Sequence, residues 1–261
     1  MTIAGGSPWP VDIPAVATLI VHPDEGAILF DTGYDGAFLA ATRSFPERLY
    51  RWAAPVHIPA GFDAASQCRT LGFNPRDVRH VVLSHFHGDH IAGLHAFPKA
   101  VIHCARAGLD DARRGSRLSR TRRGILQALI PSDTDARARF FEDSGSIDLP
   151  ADLATFERGA DVLGDGSLLA ITLPGHCPGH WGLLVNDARW GRHFLVGDAA
   201  WSLAAIRRNA PPPKLTSGLL GDTGLLRATL NALHLLHRNT PDVRLTPFHC
   251  PERAAEVVAA R

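Results

Sequence analysis

Short apolar runs bounded by Gly, Pro and Asp recur along the chain, and they set its expected elements. Residues 15–22 and 27–30 read as two strands joined by a hairpin turn at Pro23-Asp24-Glu25-Gly26. Further strands are expected at Val81–Ser84, Ala100–Cys104, Leu168–Leu173, Gly182–Val185, His193–Val196 and Val243–Thr246. Helical patterning covers 36–52, broken at Pro46, and 62–72, where Gly72 is a natural C-terminal cap. Shorter helical signals follow at 91–97 and 251–260. The clearest amphipathic helix is 222–237, with Leu225, Leu226, Leu230, Leu233 and Leu236 at helical spacing as its expected core face. Residues 131–160 are polar and irregular, and 203–221, with Pro211-Pro212-Pro213, reads as a long loop. Strands alternating in pairs with helices suggest an α+β fold of two sheets between helices. No Gly/Ser-rich linker and no internal repeat divides the chain, so 1–261 is expected to be a single domain.

Composition narrows the class. Apolar residues are 45% of the chain and charged residues 20%, the balance of a globular protein with a sizeable core. The formal net charge of +1 supplies no field to attract nucleic acid or an anionic membrane. No apolar run approaches the roughly 20 residues that span a bilayer. Met1–Pro10 has neither a basic start nor an apolar signal core, so no export signal is expected. The four cysteines, Cys68, Cys104, Cys177 and Cys250, form no CxxC pair and fit a reducing cytoplasm. Seven arginines crowd residues 105–125: Arg106, Arg113, Arg114, Arg117, Arg120, Arg122 and Arg123. They read as a solvated helix face, or else as an anion-attracting rim or a subunit contact, so a homodimer is admissible. Without interleaved aromatics they make no nucleic-acid platform.

The chemistry concentrates at Ser84-His85-Phe86-His87-Gly88-Asp89-His90, directly after Val81-Val82-Leu83. Imidazole and carboxylate are the usual ligands of zinc and neighbouring divalent metals. In an extended segment residues two apart share a side, so His85 and His87 can reach one cation, while Asp89 and His90, past the turn at Gly88, face another point. Three later strand ends carry ligand-type residues: His176, Asp198 and His249. Asp31, at the end of the second strand, reads either as an ordinary loop start or as a support that hydrogen-bonds the metal loop.

With these pieces in order, the chain closely resembles the metallo-β-lactamase superfamily. The matching segments are Phe-Asp-Thr-Gly at 30–33, His-Phe-His-Gly-Asp-His at 85–90, Pro-Gly-His-Cys-Pro-Gly-His at 174–180, Gly-Asp at 197–198, and His249. The resemblance implies an αββα sandwich, two mixed β-sheets flanked by helices, with two Zn2+ per chain, other divalent metals being admissible. Carried over by position, His85, His87 and His176 hold one metal, Asp89, His90 and His249 the other, and Asp198 bridges them. The implied chemistry is hydrolysis by a metal-bridging hydroxide, with Asp89 and Asp198 as the catalytic carboxylates.

Within the superfamily the chain looks most like the acyl-homoserine lactonase branch, by its length, its full ligand set and Asp198-Ala199-Ala200-Trp201. That branch often has a tyrosine three residues after the bridging Asp; here Trp201 stands there, and indole donates a hydrogen bond but cannot accept one. Trp201 and Phe86, with Trp181 and the 36–52 segment, are the expected substrate wall, suited to a small molecule with an acyl or aromatic part. Competing readings are a phosphodiesterase or nuclease, a thioesterase, an iron-dependent redox relative and a catalytically silent metal sensor. Near-zero net charge, 12 residues after His249 where a glutathione-binding extension would lie, and a complete hydrolase ligand set weigh against them in turn.

Overall fold

The computed structural model describes residues 12–153, 155–187, 191–212 and 221–259. The expectations for Met1–Pro10, for 213–220 of the proline-rich loop and for residue 260 lie outside these. The chain divides into two compact units. One is Ala17–Phe140; the other joins Phe141 onward to the segment ending at Val16.

The N-terminal unit carries a five-stranded sheet in the order β1-β2-β3-β4-β5. Its strands are β1 (Thr18–His22), β2 (Gly26–Phe30), β3 (His80–Val82), β4 (Val101–Cys104) and β5 (Ala138–Phe140). β1 and β2 form the expected hairpin, and β2 to β5 run parallel. The segment expected to be a helix broken at Pro46 is α1 (Gly36–Ala41) and α2 (Arg48–Ala53). α3 (Ala64–Thr70) starts on Asp63, whose carboxylate accepts from Ser66 N–H. The helix expected at 91–97 is a short 3₁₀ turn, Leu94–Ala96, preceded by α4 (Gly88–Ile91), which begins inside the histidine segment. The arginine-rich stretch is α5 (Arg106–Arg113) and α6 (Arg117–Arg122), and α7 (Thr134–Arg137) precedes β5. Leu29, Phe38, Val81, Leu83, Ile91 and Ile102 lead this unit's core.

The C-terminal unit carries a six-stranded sheet in the order β11-β10-β9-β8-β7-β6. Its strands are β6 (Ser146–Asp148), β7 (Arg158–Asp161), β8 (Leu168–Thr172), β9 (Trp181–Asp187), β10 (Gly191–Gly197) and β11 (Val243–Pro247). Only the β10–β11 pairing is parallel. Both sheets are therefore mixed, as expected. The loop expected at 203–221 contains α8 (Leu203–Arg208), capped by the Ser202 hydroxyl on Ala205 N–H. α9 (Thr223–Asn239) and α10 (Pro251–Ala259) complete the unit. On α9, Leu226, Leu230, Leu233 and Leu236 are buried, while Leu225 is 49% exposed and is not core. Among the described residues no helix is long and apolar enough to cross a membrane.

Five of the seven arginines of 105–125 have side-chain partners within their own unit. Arg113 pairs with Asp135, Arg114 and Arg123 with Asp111, and Arg117 with Glu47. Arg106 stacks over the Phe140 ring at 4.0 Å.

Candidate metal centre

The residues that can hold a cation fall into two sets, one in each unit. The N-terminal set is built on parallel strands. Phe30 lies opposite Val82 in the β2–β3 register, so the chain leaves both strands side by side. The next residue after β2 is Asp31, fully buried, with φ of 57°. For a non-glycine residue that left-handed conformation is uncommon. It turns the carboxylate onto the neighbouring loop. Oδ1 accepts from Ser84 N–H at 2.8 Å, and Oδ2 accepts from the Ser84 hydroxyl at 2.8 Å. Oδ2 also lies 2.8 Å from His90 Nδ1. The Ser84 oxygen is in turn 2.9 Å from His85 Nδ1. With the Ser84 proton on Asp31, the Nδ1 atoms of His85 and His90 are the donors. Each ring then presents its Nε2 lone pair, the arrangement in which a carboxylate orients a ligating imidazole.

The opposite ring edges lie close to the other two donors. His85 Nε2 is 2.9 Å from His87 Nδ1, and His90 Nε2 is 3.7 Å from Asp89 Oδ2. The His85 and His90 rings lie 3.9 Å apart. Backbone bonds pin the loop further. Thr32 N–H and the Thr32 hydroxyl both donate to the His90 carbonyl, at 2.8 Å each.

The C-terminal set comes from three strand ends. Antiparallel pairing places the end of β8 beside the start of β9, and the end of β10 beside that same start. β11 runs parallel to β10 and ends at the same edge. His176, Asp198 and His249 follow β8, β10 and β11, and all three are buried. Asp198 divides its oxygens: Oδ2 is 3.3 Å from His176 Nε2, and Oδ1 is 3.5 Å from His249 Nε2. His249 Nδ1 lies 2.7 Å from the Pro14 carbonyl, which orients the ring. The Trp201 indole N–H donates to Asp198 Oδ2 at 3.2 Å, and its ring meets those of His176 and His249 edge-on, at 6.4 and 6.3 Å.

The His176 loop is fixed by a close approach to α9. Asp222 N–H and the Thr229 hydroxyl donate to the carbonyls of Gly175 and Pro174, at 2.9 and 2.6 Å. At Gly175, where φ is 126°, a Cβ would stand 2.1 Å from Leu226 N. Only glycine fits there.

Both sets suit a divalent metal. Two ligands on one tetrahedral zinc, with bonds of about 2.0–2.1 Å, stand roughly 3.3 Å apart. The donor pairs within each unit bracket that spacing, between 2.9 and 3.7 Å. The donors are imidazole and carboxylate in both sets, and His85, His90 and His249 each have their Nδ1 within hydrogen-bond distance of an oxygen outside the set.

Other expected positions lie differently. Phe86 is 3% exposed and packs in the hydrophobic core of its unit, so it forms no open wall there. Its side chain alternates away from those of His85 and His87, which sends it inward. Trp181 stacks on Phe141 at 5.0 Å. Cys250 is fully buried, its sulfur 3.4 Å from Leu203 N.

Three further residues stand beside the candidate ligands: Ser84 and His180, to which the sequence assigns no role, and Tyr50, expected only as part of the 36–52 substrate wall. Ser84 joins Asp31 to His85 and His90. His180 accepts from Asp198 N–H at 3.0 Å through Nε2, while its Nδ1 lies 3.1 Å from the Leu173 carbonyl, so it braces the backbone of Asp198. Tyr50 donates its phenol proton to Asp89 Oδ1 at 3.2 Å. Ser84 and His180 sit inside the two quoted motifs and were legible as candidates; Tyr50, 39 residues from its partner, carried no local signal.

Comparison with known proteins bears on the same pattern. The family model described as the metallo-beta-lactamase superfamily matches residues 11–249. The N-acyl homoserine lactonase AttM of Azorhizobium caulinodans is 28% identical over 218 residues, covering 79% of this chain and 72% of that protein. A crystal structure of a Bacillus thuringiensis AiiA mutant with N-decanoyl-L-homoserine bound at the active site superposes with a TM-score of 0.69 at 17% identity, covering 98% of this chain and 89% of the other. The dizinc quorum-quenching lactonase AidC, in complex with its product, gives a TM-score of 0.60 at 20% identity over 92% of this chain and 74% of that one. The structural matches bear out the expected two-sheet fold.

Proposed function

The chain belongs to the metallo-β-lactamase superfamily of metal-dependent hydrolases, and from that premise we propose that it is a dinuclear zinc lactonase, acting on an N-acyl homoserine lactone or a related small ester. By the family pattern His85, His87 and His176 serve one cation, Asp89, His90 and His249 the other, and Asp198 is shared. Two divalent cations, when bound, supply a water with its pKa lowered to about 7 and a Lewis acid for the carbonyl. The observation that carries the proposal is the oriented donor set: four ligand-type side chains in one unit and three in the other, with His85, His90 and His249 turned by Ser84, Asp31 and Pro14.

The chain's own residues then have distinct work. Asp198, with its two oxygens turned toward different histidines, suits a shared ligand. Asp89 keeps one oxygen toward His90 and the other toward Tyr50, so it can hold a proton destined for the alcohol leaving group. Trp201 supports Asp198 through its N–H and offers its ring face as an apolar surface. The lactonase relative AttM supports the substrate class.

The test is the zinc-loaded protein against a panel of lactones, esters, thioesters and phosphodiesters. Lactone opening at a kcat/KM at least about 100-fold above the other classes is the expected result. Turnover of bis-p-nitrophenyl phosphate without lactone opening would replace the reading with a phosphodiesterase. Bound metal with no turnover across the panel would replace it with a sensor.

A further inference from the structure

We propose that Tyr50 is a positioning residue for Asp89, held against it by a latch between Glu47 and Arg117. The inference rests on the metal-centre reading above for the role of Asp89, and every contact it uses lies within the N-terminal unit.

Tyr50 sits on α2, half-buried, with its ring edge-on to the fully buried Phe38 at 5.2 Å and 87°. The ring reaches over the first turn of α4 because residue 88 is glycine. A Cβ on Gly88 would stand 3.2 Å from Tyr50 Cε1, 3.3 Å from Phe38 Cε2 and 3.1 Å from Leu126 Cδ1. The phenol donates to Asp89 Oδ1, and Asp89 Oδ2 faces His90 Nε2 at 3.7 Å. An aspartate's terminal torsion is broad and roughly two-fold, so a carboxylate beside a cation can swap its oxygens or bind through both. A phenol bonded to one oxygen commits that oxygen outward and leaves the other for ligation.

The latch ties down α2, a helix of only six residues. Its N-terminal flank, Glu47, receives two parallel hydrogen bonds from Arg117, Nε at 2.9 Å and Nη2 at 2.7 Å. Arg117 Nη2 also donates to the Phe45 carbonyl at 3.2 Å. Bidentate guanidinium–carboxylate pairing fixes direction as well as distance. Arg117 opens α6, whose start is capped by Ser116. The arginine-rich stretch thus ties the Tyr50 segment to the body of the unit. The Arg117 guanidinium beside Glu47 holds that carboxyl below its ordinary value, so the latch is closed at neutral pH.

Two readouts on the zinc-loaded protein test this: zinc retention against a competing chelator, and kcat with KM on whichever panel substrate is turned over. Tyr50→Phe keeps the ring and removes only the proton donor. We expect zinc loss at about 10-fold lower chelator concentration and kcat lower by about 10- to 100-fold, with KM within about two-fold. Glu47→Gln is expected to show about a third of that effect on a logarithmic scale, and the double variant to be no worse than Tyr50→Phe alone, because both act through one contact. Unchanged zinc retention and kcat in Tyr50→Phe would overturn the proposal. A change in KM alone would overturn it too, making Tyr50 a substrate contact. Additive losses in the double variant would overturn the latch. The chelator measurement needs no substrate, so failure of the lactone reading and failure of the Tyr50 role are separable.

Discussion

The two candidate ligand sets are built in opposite ways. In the N-terminal unit, His85, His87, Asp89 and His90 lie within six residues, on the loop after β3 and the turn of α4 that follows it. In the C-terminal unit, His176, Asp198 and His249 are spread over 74 positions and meet because β8, β10 and β11 end at one edge of a sheet. The first set has its geometry from local chain direction, trimmed by Asp31, Ser84 and Tyr50. The second has it from strand register. A one-residue slip in a strand reverses every side chain's face, so the second set is only as good as its sheet. The difference says where each half is vulnerable: the first through the few polar contacts that turn its rings, the second through the packing that sets its register.

The largest expected effect falls equally on both sets. His87→Ala and Asp198→Asn should each lower kcat/KM on the order of 10³-fold, about 4 kcal/mol, with loss of bound metal by elemental analysis. Full activity and metal content in either variant would remove that residue from the centre. Next is Gly175→Ala, which strikes the packing of the C-terminal set. The added Cβ meets Leu226 N at 2.1 Å, and about 3 kcal/mol of stability should go, read as a lowered urea midpoint. A midpoint unchanged from the wild type would mean that the His176 loop is not clamped by α9. Asp31→Ala strikes the polar contacts of the N-terminal set. Metal affinity or activity should fall about 10- to 100-fold with a much smaller loss of fold, since His90 and Ser84 lose the carboxylate that turns them.

The smallest effect is a pH dependence confined to the N-terminal unit. His103 is buried in its sheet and meets His80 Nδ1 at 2.9 Å. Burial, with smaller contributions from His80 and Arg139, pushes its pKa down from 6.5 to about 4. The unfolded chain therefore binds a proton between about pH 6.5 and pH 4 that the folded chain does not. Stability is full above pH 6.5 and falls as acid is added, by about 1–2 kcal/mol between pH 7 and pH 5. Urea titrations across that range should show the slope, and His103→Asn should flatten it. An equal slope in the variant would assign the acid sensitivity elsewhere.

Where elements escaped the sequence, the reason is local. β5, β6 and β7 lie in or near the polar stretch 131–160 and have only three or four residues each. Such strands are too short to display a two-residue alternation, and β6 keeps its first and last residues exposed at a sheet edge. α8 was masked by the prolines that follow it, although Ser202 carries the capping signal of a helix start. Leu225 falls at helical spacing yet is exposed, because periodicity marks a stripe without fixing how wide a face the partner covers.

Taken by itself, the sequence determined which donor-type residues stand at the strand ends, histidine and aspartate being the side chains that can serve a divalent cation, and it determined most strands and helices through apolar runs, glycines and prolines. Contacts between distant segments were decided only by tertiary structure: Asp31 on Ser84 and His90, His180 on the Asp198 backbone, Tyr50 on Asp89, Glu47 on Arg117, and the sinking of Phe86 into the core. The Asp31 and His180 contacts depend on which strands pair and in what register, the Tyr50 and Glu47 contacts on how short helices pack, and no short window of sequence contains either.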